Sequence, residues 1–270
     1  MLERTLEFKN ALITKIYGRE PLSRDEMVSK CLVWGETPRP FVRPTEDIIR
    51  DLLDQNKKVL LEGAQGTLLD IDHGSYPFVT SSSPTIGGAC TGLGLDPHVI
   101  AGVLGVFKAY STRVGGGPMP SELDNSTGEE IRGKAQEFGT TTGRARRVGW
   151  FDAVAGKYSR MVNGFTGMVL TRLDILDGFS SVKICVGYEA DGNTIDRFPS
   201  NTGLLERCTP IWEEHPGWDQ PTASATEMTQ LPENALKYVR RIEELVGCPV
   251  QIISTGPSRA ETVLVESVIP

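Results

Sequence analysis

The apolar positions follow a helical repeat in some segments of the chain and strand-like runs in others. Residues 232–247 show the clearest helical pattern: Ala235, Tyr238, Ile242 and Leu245 form one face, and Pro232 suits a first turn. Further helical patterns cover residues 2–17, a segment beginning at Thr45, residues 127–138 and a segment from Trp150 to Asn163. The pattern therefore predicts at least five helices.

Short apolar runs between these segments predict strands. They are residues 59–63, the later part of 99–118 after a helical start, residues 168–178, residues 182–195 with an Asp191-Gly192 hairpin signal, and residues 249–259. Strands that alternate with helices predict an α/β fold with a mostly parallel sheet, and its ligand loops should follow the carboxyl ends of the strands. We predict one domain over 1–270, with a helical lead-in at 1–56 and a binding region at 57–270.

Residues 63–97 are rich in glycine, serine and threonine and lack a clear repeat. A connection of this length is usually functional or disordered. Its interspersed apolar residues, among them Leu68, Ile71 and Phe78, argue against disorder. We interpret the segment as an ordered loop that lines a substrate site.

Composition narrows the function classes. With 39% hydrophobic and 23% charged residues and no long apolar run, the chain is typical of a soluble protein, and we expect a cytoplasmic location with no membrane contact. Its five cysteines are widely spaced and it has three histidines, which disfavours disulfides and a zinc site. A net charge of −7 disfavours nucleic acid as a partner.

One sequence resembles a nucleotide motif, but the resemblance is misleading. Residues 128–135, GEEIRGKA, fit G-x-x-x-x-G-K, yet Ala135 replaces the hydroxyl residue that holds magnesium, and Glu129 and Glu130 would face phosphate oxygens. We predict a surface helix there.

The loop GTTTGRARRVG, residues 139–149, is the strongest candidate anion site. Arg144, Arg146 and Arg147 carry guanidinium groups suited to carboxylate or phosphate, and the threonines and glycine-flanked amides add donors. A solvated charge run is the ordinary alternative.

Three further loops each have a second interpretation. In TRLD, residues 171–174, Asp174 could accept from the ring N–H and amine of guanine, or could cap a turn. In STGP, residues 254–257, a hydroxyl and backbone amides could hold a ligand or form an ordinary turn. Gln65 in GAQGT could read a base or sugar edge, or cap a helix.

Taken together, the segments GAQGTLLDIDHGSYPFVTSS, KAYSTRVGGGPMPSEL, EFGTTTGRARRVGWFD, TRLDILDG and IISTGPSR closely resemble adenylosuccinate synthetase from about residue 57 to residue 262. The resemblance implies a synthetase fold like that of P-loop NTPases, here incomplete. It also implies a homodimeric ligase of purine and AMP biosynthesis that joins inosine monophosphate (IMP) to L-aspartate, with GTP as co-substrate and Mg²⁺ as cofactor.

The same resemblance implies roles for individual residues. IMP would contact Gln65, Thr80, Val114 and Arg144. Aspartate would be held by the loop of Thr140, Thr141, Thr142, Gly143, Arg144, Ala145 and Arg146. GTP would contact Arg146, Arg172, Leu173, Asp174, Ser254, Thr255 and Gly256.

The chain departs from the family pattern in three respects. Arg172 stands where many members have lysine, and Ala145 where others have arginine or proline. The family's phosphate loop and its catalytic aspartate and histidine do not occur in these 270 residues, so no catalytic or metal-binding residue is assigned to the chain. Because phosphoryl transfer depends on cancelling charge around the phosphate, we expect the chain alone to be inactive.

Two hypotheses of other classes accompany the ligase. The chain could be a non-catalytic nucleotide-binding half that needs a partner chain to supply the phosphate loop. Nucleic-acid binding through the arginine loop is a third, and the acidic balance of the chain counts against it.

Overall fold

The computed structural model describes residues 2–139 and 143–265. The chain divides into two compact units, Met1–Val59 and Leu60–Pro270. The first unit is helical, with α1 at Leu2–Lys15, α2 at Arg24–Glu36 and α3 at Glu46–Asp54.

Helices α1 and α3 confirm the sequence pattern, whereas α2 was not predicted. Helix α2 is capped by Ser23, whose side chain accepts from the amide of Glu26. It buries none of its residues, and Val33 and Trp34 are about two thirds exposed, at 70% and 66%. The apolar and charged residues of α2 are not separated onto opposite faces, so the helix has no clear hydrophobic repeat for the sequence to reveal.

The second unit is α/β, as predicted. Its α-helices among the described residues are α4 (Ile86–Leu93), α5 (Ser126–Ala135), α6 (Ala153–Asn163), α7 (Thr202–Arg207) and α8 (Glu233–Val246). Its strands are β1 (Leu104–Lys108), β2 (Ser111–Arg113), β3 (Arg147–Gly149), β4 (Phe151–Asp152), β5 (Gly167–Thr171), β6 (Ser181–Ala190), β7 (Asn193–Ile195), β8 (Thr209–Pro216), β9 (Val250–Ser254) and β10 (Thr262–Leu264).

The main sheet has the order β1-β5-β9-β10, in which β1, β5 and β9 are parallel and β10 is antiparallel to β9. A second sheet contains β4, β6, β7 and β8, and β2 pairs with β3 as a separate antiparallel ladder. Because β1, β5 and β9 run in the same direction, the loops after Lys108, Thr171 and Ser254 lie at one edge of the sheet.

The core lies between the main sheet and helices that include α8. Tyr238 and Ile242 on α8 are fully buried, and so is Ile253 on β9. The Tyr238 hydroxyl donates to the carbonyl of Ala109 at 2.8 Å, which ties α8 to the residue after β1. This packing explains why the helix with the strongest apolar face was the easiest to predict.

Two of the sequence predictions for this unit are wrong. Residues 59–63 form no strand: they pair with no described strand, and Leu60 is 91% exposed. The start of 99–118 contains no α-helix: Val99 ends a 3₁₀ helix, residues 100–103 have no regular structure, and β1 begins at Leu104. An apolar run forms a strand only when its backbone groups pair with those of a neighbouring strand. The hydrophobic pattern of the run does not show whether such a neighbour exists.

The loop of residues 63–97 is built by local hydrogen bonds and contains helix α4. This helix was not predicted, because the glycine, serine and threonine content of the segment suggested a loop. Gly94 ends this helix in the left-handed conformation, with φ of 64°. The misleading motif at 128–135 lies within α5, as predicted, with Gly128 and Ile131 buried. The hairpin between β6 and β7 is confirmed, since Asp191 and Gly192 both have positive φ.

Candidate functional site

A buried carboxylate organises the glycine-rich loop. Asp70 is 1% exposed and accepts from the amides of Asp72 and His73 at 2.9 and 3.0 Å. It also accepts from the hydroxyl of Thr85 at 2.9 Å, fifteen residues away. Burial raises the pKa of Asp70, but together these hydrogen bonds lower it by more, so the pKa lies below its ordinary value. The loop is therefore closed around an ionised side chain.

The predicted IMP residues Gln65 and Thr80 lie on this loop. Gln65 is exposed and has a positive φ of 60°, which turns the backbone sharply before the short 3₁₀ helix at Thr67–Leu69. The Thr80 hydroxyl donates to the carbonyl of Leu69 at 3.0 Å and lies 2.8 Å from the hydroxyl of Ser82. Thr80 is therefore held in place, with its hydroxyl partly engaged by the protein.

Val114, the third predicted IMP residue, follows β2 and is 67% exposed. Arg113, directly before it, is largely buried, and its Nη2 donates to the Ser75 hydroxyl at 2.8 Å and the Phe78 carbonyl at 3.2 Å. Arg113 thus fastens the end of β2 to the loop that carries Thr80. This bond between distant segments has no local sequence signal.

The three arginines of the cationic loop have three different environments. Thr140, Thr141 and Thr142, predicted to hold aspartate, lie outside the described residues. Gly143, also predicted there, has a φ of 63°, and its amide donates to the Gly139 carbonyl at 2.8 Å. Ala145 bridges to Phe138. Arg144 is exposed, and its side chain has no hydrogen-bond or ion-pair partner among the described residues.

The guanidinium of Arg147, which the sequence groups with the candidate anion ligands, is engaged by contacts within the protein. Its guanidinium binds both carboxylate oxygens of Glu122, and its Nη1 donates to the Gly117 carbonyl at 2.6 Å. Hydrogen bonding to Glu122 raises the pKa of Arg147. This side chain joins β3 to the segment before α5 and has a structural role.

Arg146 is held by a buried acid that was not predicted. Glu137 is 1% exposed and accepts from Arg146 Nη1 at 2.8 Å, Lys108 Nζ at 2.6 Å and the Tyr110 hydroxyl at 2.7 Å. Burial raises the pKa of Glu137, but the bonds from Lys108, Tyr110 and Arg146 outweigh it, so the pKa lies below its ordinary value. Burial is also the main cause of the lowered pKa of Lys108.

The sequence prediction placed Lys108 inside the segment 99–118, and only the structure shows that Lys108 ends strand β1. A charged residue at the carboxyl end of a parallel strand is well placed to face a ligand. Glu137 itself follows α5, where a glutamate has no distinguishing pattern. Its role depends on three side chains that the tertiary structure brings to it.

The predicted GTP residues lie at the carboxyl ends of two neighbouring strands. Arg172, Leu173 and Asp174 follow β5, and Ser254, Thr255 and Gly256 end or follow β9, which pairs with β5. The two loops predicted from separate parts of the sequence are therefore brought to one edge of the sheet.

The side chains of the loop after β5 differ in what they can offer. Arg172 adopts a left-handed conformation with φ of 61°, and its Nη1 donates to the Ala135 carbonyl at 2.7 Å. Leu173 is fully buried in the core, so its backbone alone can face a ligand. Asp174 is partly buried, and burial is the main cause of its raised pKa. Its carboxylate accepts no hydrogen bond from the side chain of another described residue.

The loop after β9 is closed by its own hydrogen bonds. Thr255 is fully buried and its hydroxyl donates to the Ala225 carbonyl at 2.8 Å, while the Ser254 hydroxyl donates to the Gly256 carbonyl at 2.9 Å. A Cβ at Gly256 would come within 2.5 Å of the Glu261 carboxyl group, so a larger residue there would require the Glu261 side chain to move. The backbone of this loop is consequently better placed than its side chains to line a site.

The family model described as adenylosuccinate synthetase matches residues 1–263. An adenylosuccinate synthetase of Dehalococcoides mccartyi is 51% identical over 262 residues, which are 97% of this chain and 62% of the relative. Another, of Carboxydothermus hydrogenoformans, is 49% identical over 267 residues, or 99% of this chain and 62% of the relative.

A solved structure of fully ligated adenylosuccinate synthetase from Plasmodium falciparum superposes with a TM-score of 0.89 at 33% identity. The match covers 98% of this chain and 64% of that one. The chain thus spans less than two thirds of the length of these relatives. No helix among residues 2–139 and 143–265 is long and apolar enough to cross a membrane.

Proposed function

The chain belongs to the adenylosuccinate synthetase family, and from this premise we propose that it supplies binding sites for the GTP-dependent ligation of IMP and L-aspartate in AMP biosynthesis. The observation that carries the proposal is the common edge of the main sheet, where the loops after β5 and β9 meet. Parallel α/β sheets bind ligands at this edge.

In this proposal the loop after β5 recognises the guanine of GTP. The Asp174 carboxylate is free of other side-chain donors among the described residues and suits the ring N–H and amine of guanine, a pair that adenine does not offer. Arg172 has an exposed, planar guanidinium that can lie along a purine face. The Ser254–Gly256 loop adds backbone donors on the neighbouring strand.

The arginine loop binds the remaining anions. Arg144 is exposed and unpaired among the described residues, which suits the phosphate of IMP beside Gln65, Thr80 and Val114. Arg146 is held for the GTP phosphates, and Thr140–Arg146 holds the aspartate carboxylates. Arg146 is hydrogen-bonded to Glu137, whereas Arg144 has no hydrogen-bond or ion-pair partner among the described residues, and this difference supports the division of the arginines between different anions.

Within residues 2–139 and 143–265, no group of three or more His, Cys, Asp and Glu side chains is arranged to hold a metal ion. Mg²⁺ in nucleotide sites is usually held by one or two carboxylates together with substrate phosphates. The proposal therefore assigns no residue of this chain, and no step, to the Mg²⁺ that family membership implies.

Titration calorimetry of the 270-residue chain with IMP and with GTP tests the proposal. We expect Arg144→Ala to weaken IMP binding and Asp174→Asn to weaken GTP binding, each with the other nucleotide little affected. Loss of one buried charge-assisted contact corresponds to about tenfold or more in affinity. Absence of binding of both nucleotides would overturn the proposal.

A coupled assay with IMP, aspartate, GTP and Mg²⁺ tests activity separately. We expect no turnover by these 270 residues alone, because they do not include the family's phosphate loop. Turnover would refute the view that this loop is indispensable. Recovery of turnover on adding a chain that carries the loop would favour a nucleotide-binding half that works with a partner. We also expect a homodimer, which light scattering can measure.

A further inference from the structure

The buried carboxylate of Glu137 connects two cations of different segments. It accepts from Lys108 at the end of β1 and from Arg146 at the start of the β3 ladder, with Tyr110 as a third donor. The side chains of Lys108 and Arg146 are 27% and 31% exposed, and that of Glu137 is 1% exposed. A charged group this deeply buried is stable only when it is paired.

Resting on the proposed function, we propose that Glu137 is a positioning residue that fixes the guanidinium of Arg146 for the phosphates of GTP. The hydrogen bond from Nη1 to Glu137 orients the planar group. The backbone of Arg146 is fixed as well, because its amide donates to the Glu137 carbonyl and its carbonyl accepts from Arg132 Nε, both at 2.9 Å. The side chain and backbone of Arg146 are therefore held by the last turns of α5 and the residues directly after it.

The remaining donors of Arg146 point to an anionic acceptor. Its Nε is buried and has no hydrogen-bond partner among the described residues. A buried donor without a partner has an unfavourable free energy, which a ligand oxygen would offset. Two cations also share the single Glu137 carboxylate, so the cluster has surplus positive charge. Phosphate oxygens match both the free donor and the surplus charge.

The carboxyl end of α5, just before Glu137, also holds Arg172, the second cationic side chain predicted to contact GTP. Arg172 Nη1 donates to the carbonyl of Ala135, two residues before Glu137. The end of α5 thereby sets the position of one guanidinium proposed for guanine and one proposed for phosphate. Glu137 acts on Arg146 directly, and the Ala135 carbonyl acts on Arg172.

The neighbouring pair of Glu122 and Arg147 provides a matched control. Here too a glutamate accepts from an arginine of the cationic loop. Arg147, however, also donates to the Gly117 carbonyl and has no proposed ligand. Glu122→Gln therefore removes a carboxylate that pairs with an arginine of the same loop, at a more exposed position, without removing a contact of Arg146.

The first measurement needs no nucleotide. In ¹⁵N spectra of the guanidinium groups, Arg146 of the unsubstituted chain should show hindered rotation of its terminal nitrogens, and Glu137→Gln should abolish the hindrance while Glu122→Gln preserves it. Free rotation of Arg146 in the unsubstituted chain would overturn the positioning role. This result does not depend on whether GTP binds.

The second measurement is GTP affinity by calorimetry. We expect Glu137→Gln to weaken GTP binding about tenfold with IMP binding changed less than about twofold, and Glu122→Gln to change neither by more than about twofold. Since Glu137 acts through Arg146, the double variant Glu137→Gln/Arg146→Ala should bind GTP no more weakly than Arg146→Ala alone. Additive losses would contradict action through Arg146.

Glu137→Asp serves if Glu137→Gln does not fold. It keeps the charge and withdraws the carboxylate by about one carbon–carbon bond, so GTP affinity should fall by an intermediate amount, about threefold. An unchanged affinity in a folded variant would contradict the proposal. If the unsubstituted chain binds no GTP at all, the GTP part of the proposed function fails, and the rotation measurement alone decides the positioning role.

Discussion

Replacing Arg147 with alanine should destabilise the second unit without affecting any ligand. The substitution removes the bidentate pair with Glu122 and leaves the Gly117 carbonyl without its 2.6 Å donor. Both members of the ion pair are 29% exposed, so solvent screens the pair only in part. Sequence alone groups this residue with Arg144 and Arg146 as an anion ligand, and the prediction separates the two interpretations.

The magnitude follows from the lost contacts. A partly buried, bidentate pair contributes about 1 kcal/mol, and the unpaired carbonyl costs about 1 kcal/mol more. The unfolding free energy should therefore fall by about 2 kcal/mol, which lowers Tm by about 4–8 °C for a unit of this size. Arg147→Lys keeps the positive charge but cannot form the bidentate pair with Glu122, so we expect roughly half the loss of unfolding free energy.

Urea and thermal unfolding followed by circular dichroism provide the assay. Arg144→Ala is the matched control, since its side chain is exposed and unpaired among the described residues, and it should change the unfolding free energy by less than about 0.5 kcal/mol. Equal Tm values for the two alanine variants would refute the reasoning. So would an Arg147→Ala chain that is as stable as the original and binds IMP more weakly.

Three further predictions concern stability, acid pH and the misleading motif. Tyr238→Phe leaves the Ala109 carbonyl without its donor and should lower the unfolding free energy by about 1–2 kcal/mol. The same change at the more exposed Tyr158 is the control and should lower the unfolding free energy by less than about 0.5 kcal/mol. Equal losses of unfolding free energy in the two variants would contradict the role of burial. Burial raises the pKa of Glu137, but its hydrogen bonds lower it by more, so the pKa of Glu137 in the folded protein lies below that in the unfolded chain. The ionised carboxylate therefore stabilises the fold fully above its unfolded pKa, and this contribution is lost as pH falls through the lower pKa of the folded protein. The unfolding free energy of Glu137→Gln should accordingly fall less steeply with acid, and parallel acid limbs would count against the prediction. Lys134→Ala, in the helix that mimics a phosphate loop, should leave GTP affinity within about twofold in calorimetry, and a tenfold loss would restore the motif as a site.

The elements predicted well are those whose signals are local. The face of α8 repeats within one segment, and the Asp191-Gly192 hairpin is determined by two adjacent residues with positive φ. Residues 59–63 failed for the opposite reason, because a strand requires a partner that the run itself does not specify. Helix α2 was missed because its apolar and charged residues are not separated onto opposite faces.

The candidate site shows the same division. Its loops were identified because glycine, threonine, arginine and aspartate in those combinations suit anions and bases, and parallel topology then placed the loops after β5 and β9 at one edge. Glu137 was not identified, because its partners Lys108 and Arg146 approach it from 29 and 9 residues away.

By itself, the amino-acid sequence determined the α/β class, the family resemblance and the residue types that can meet nucleotide and carboxylate groups. The tertiary structure decided what each arginine of the cationic loop can do. Arg147 is paired with Glu122, Arg146 is held by Glu137, and Arg144 remains open to a ligand among the described residues. The physical reason is that a guanidinium can bind a ligand only when its N–H donors are not already hydrogen-bonded to a carboxylate of the protein. Those carboxylates are brought close by the fold rather than by their position along the chain.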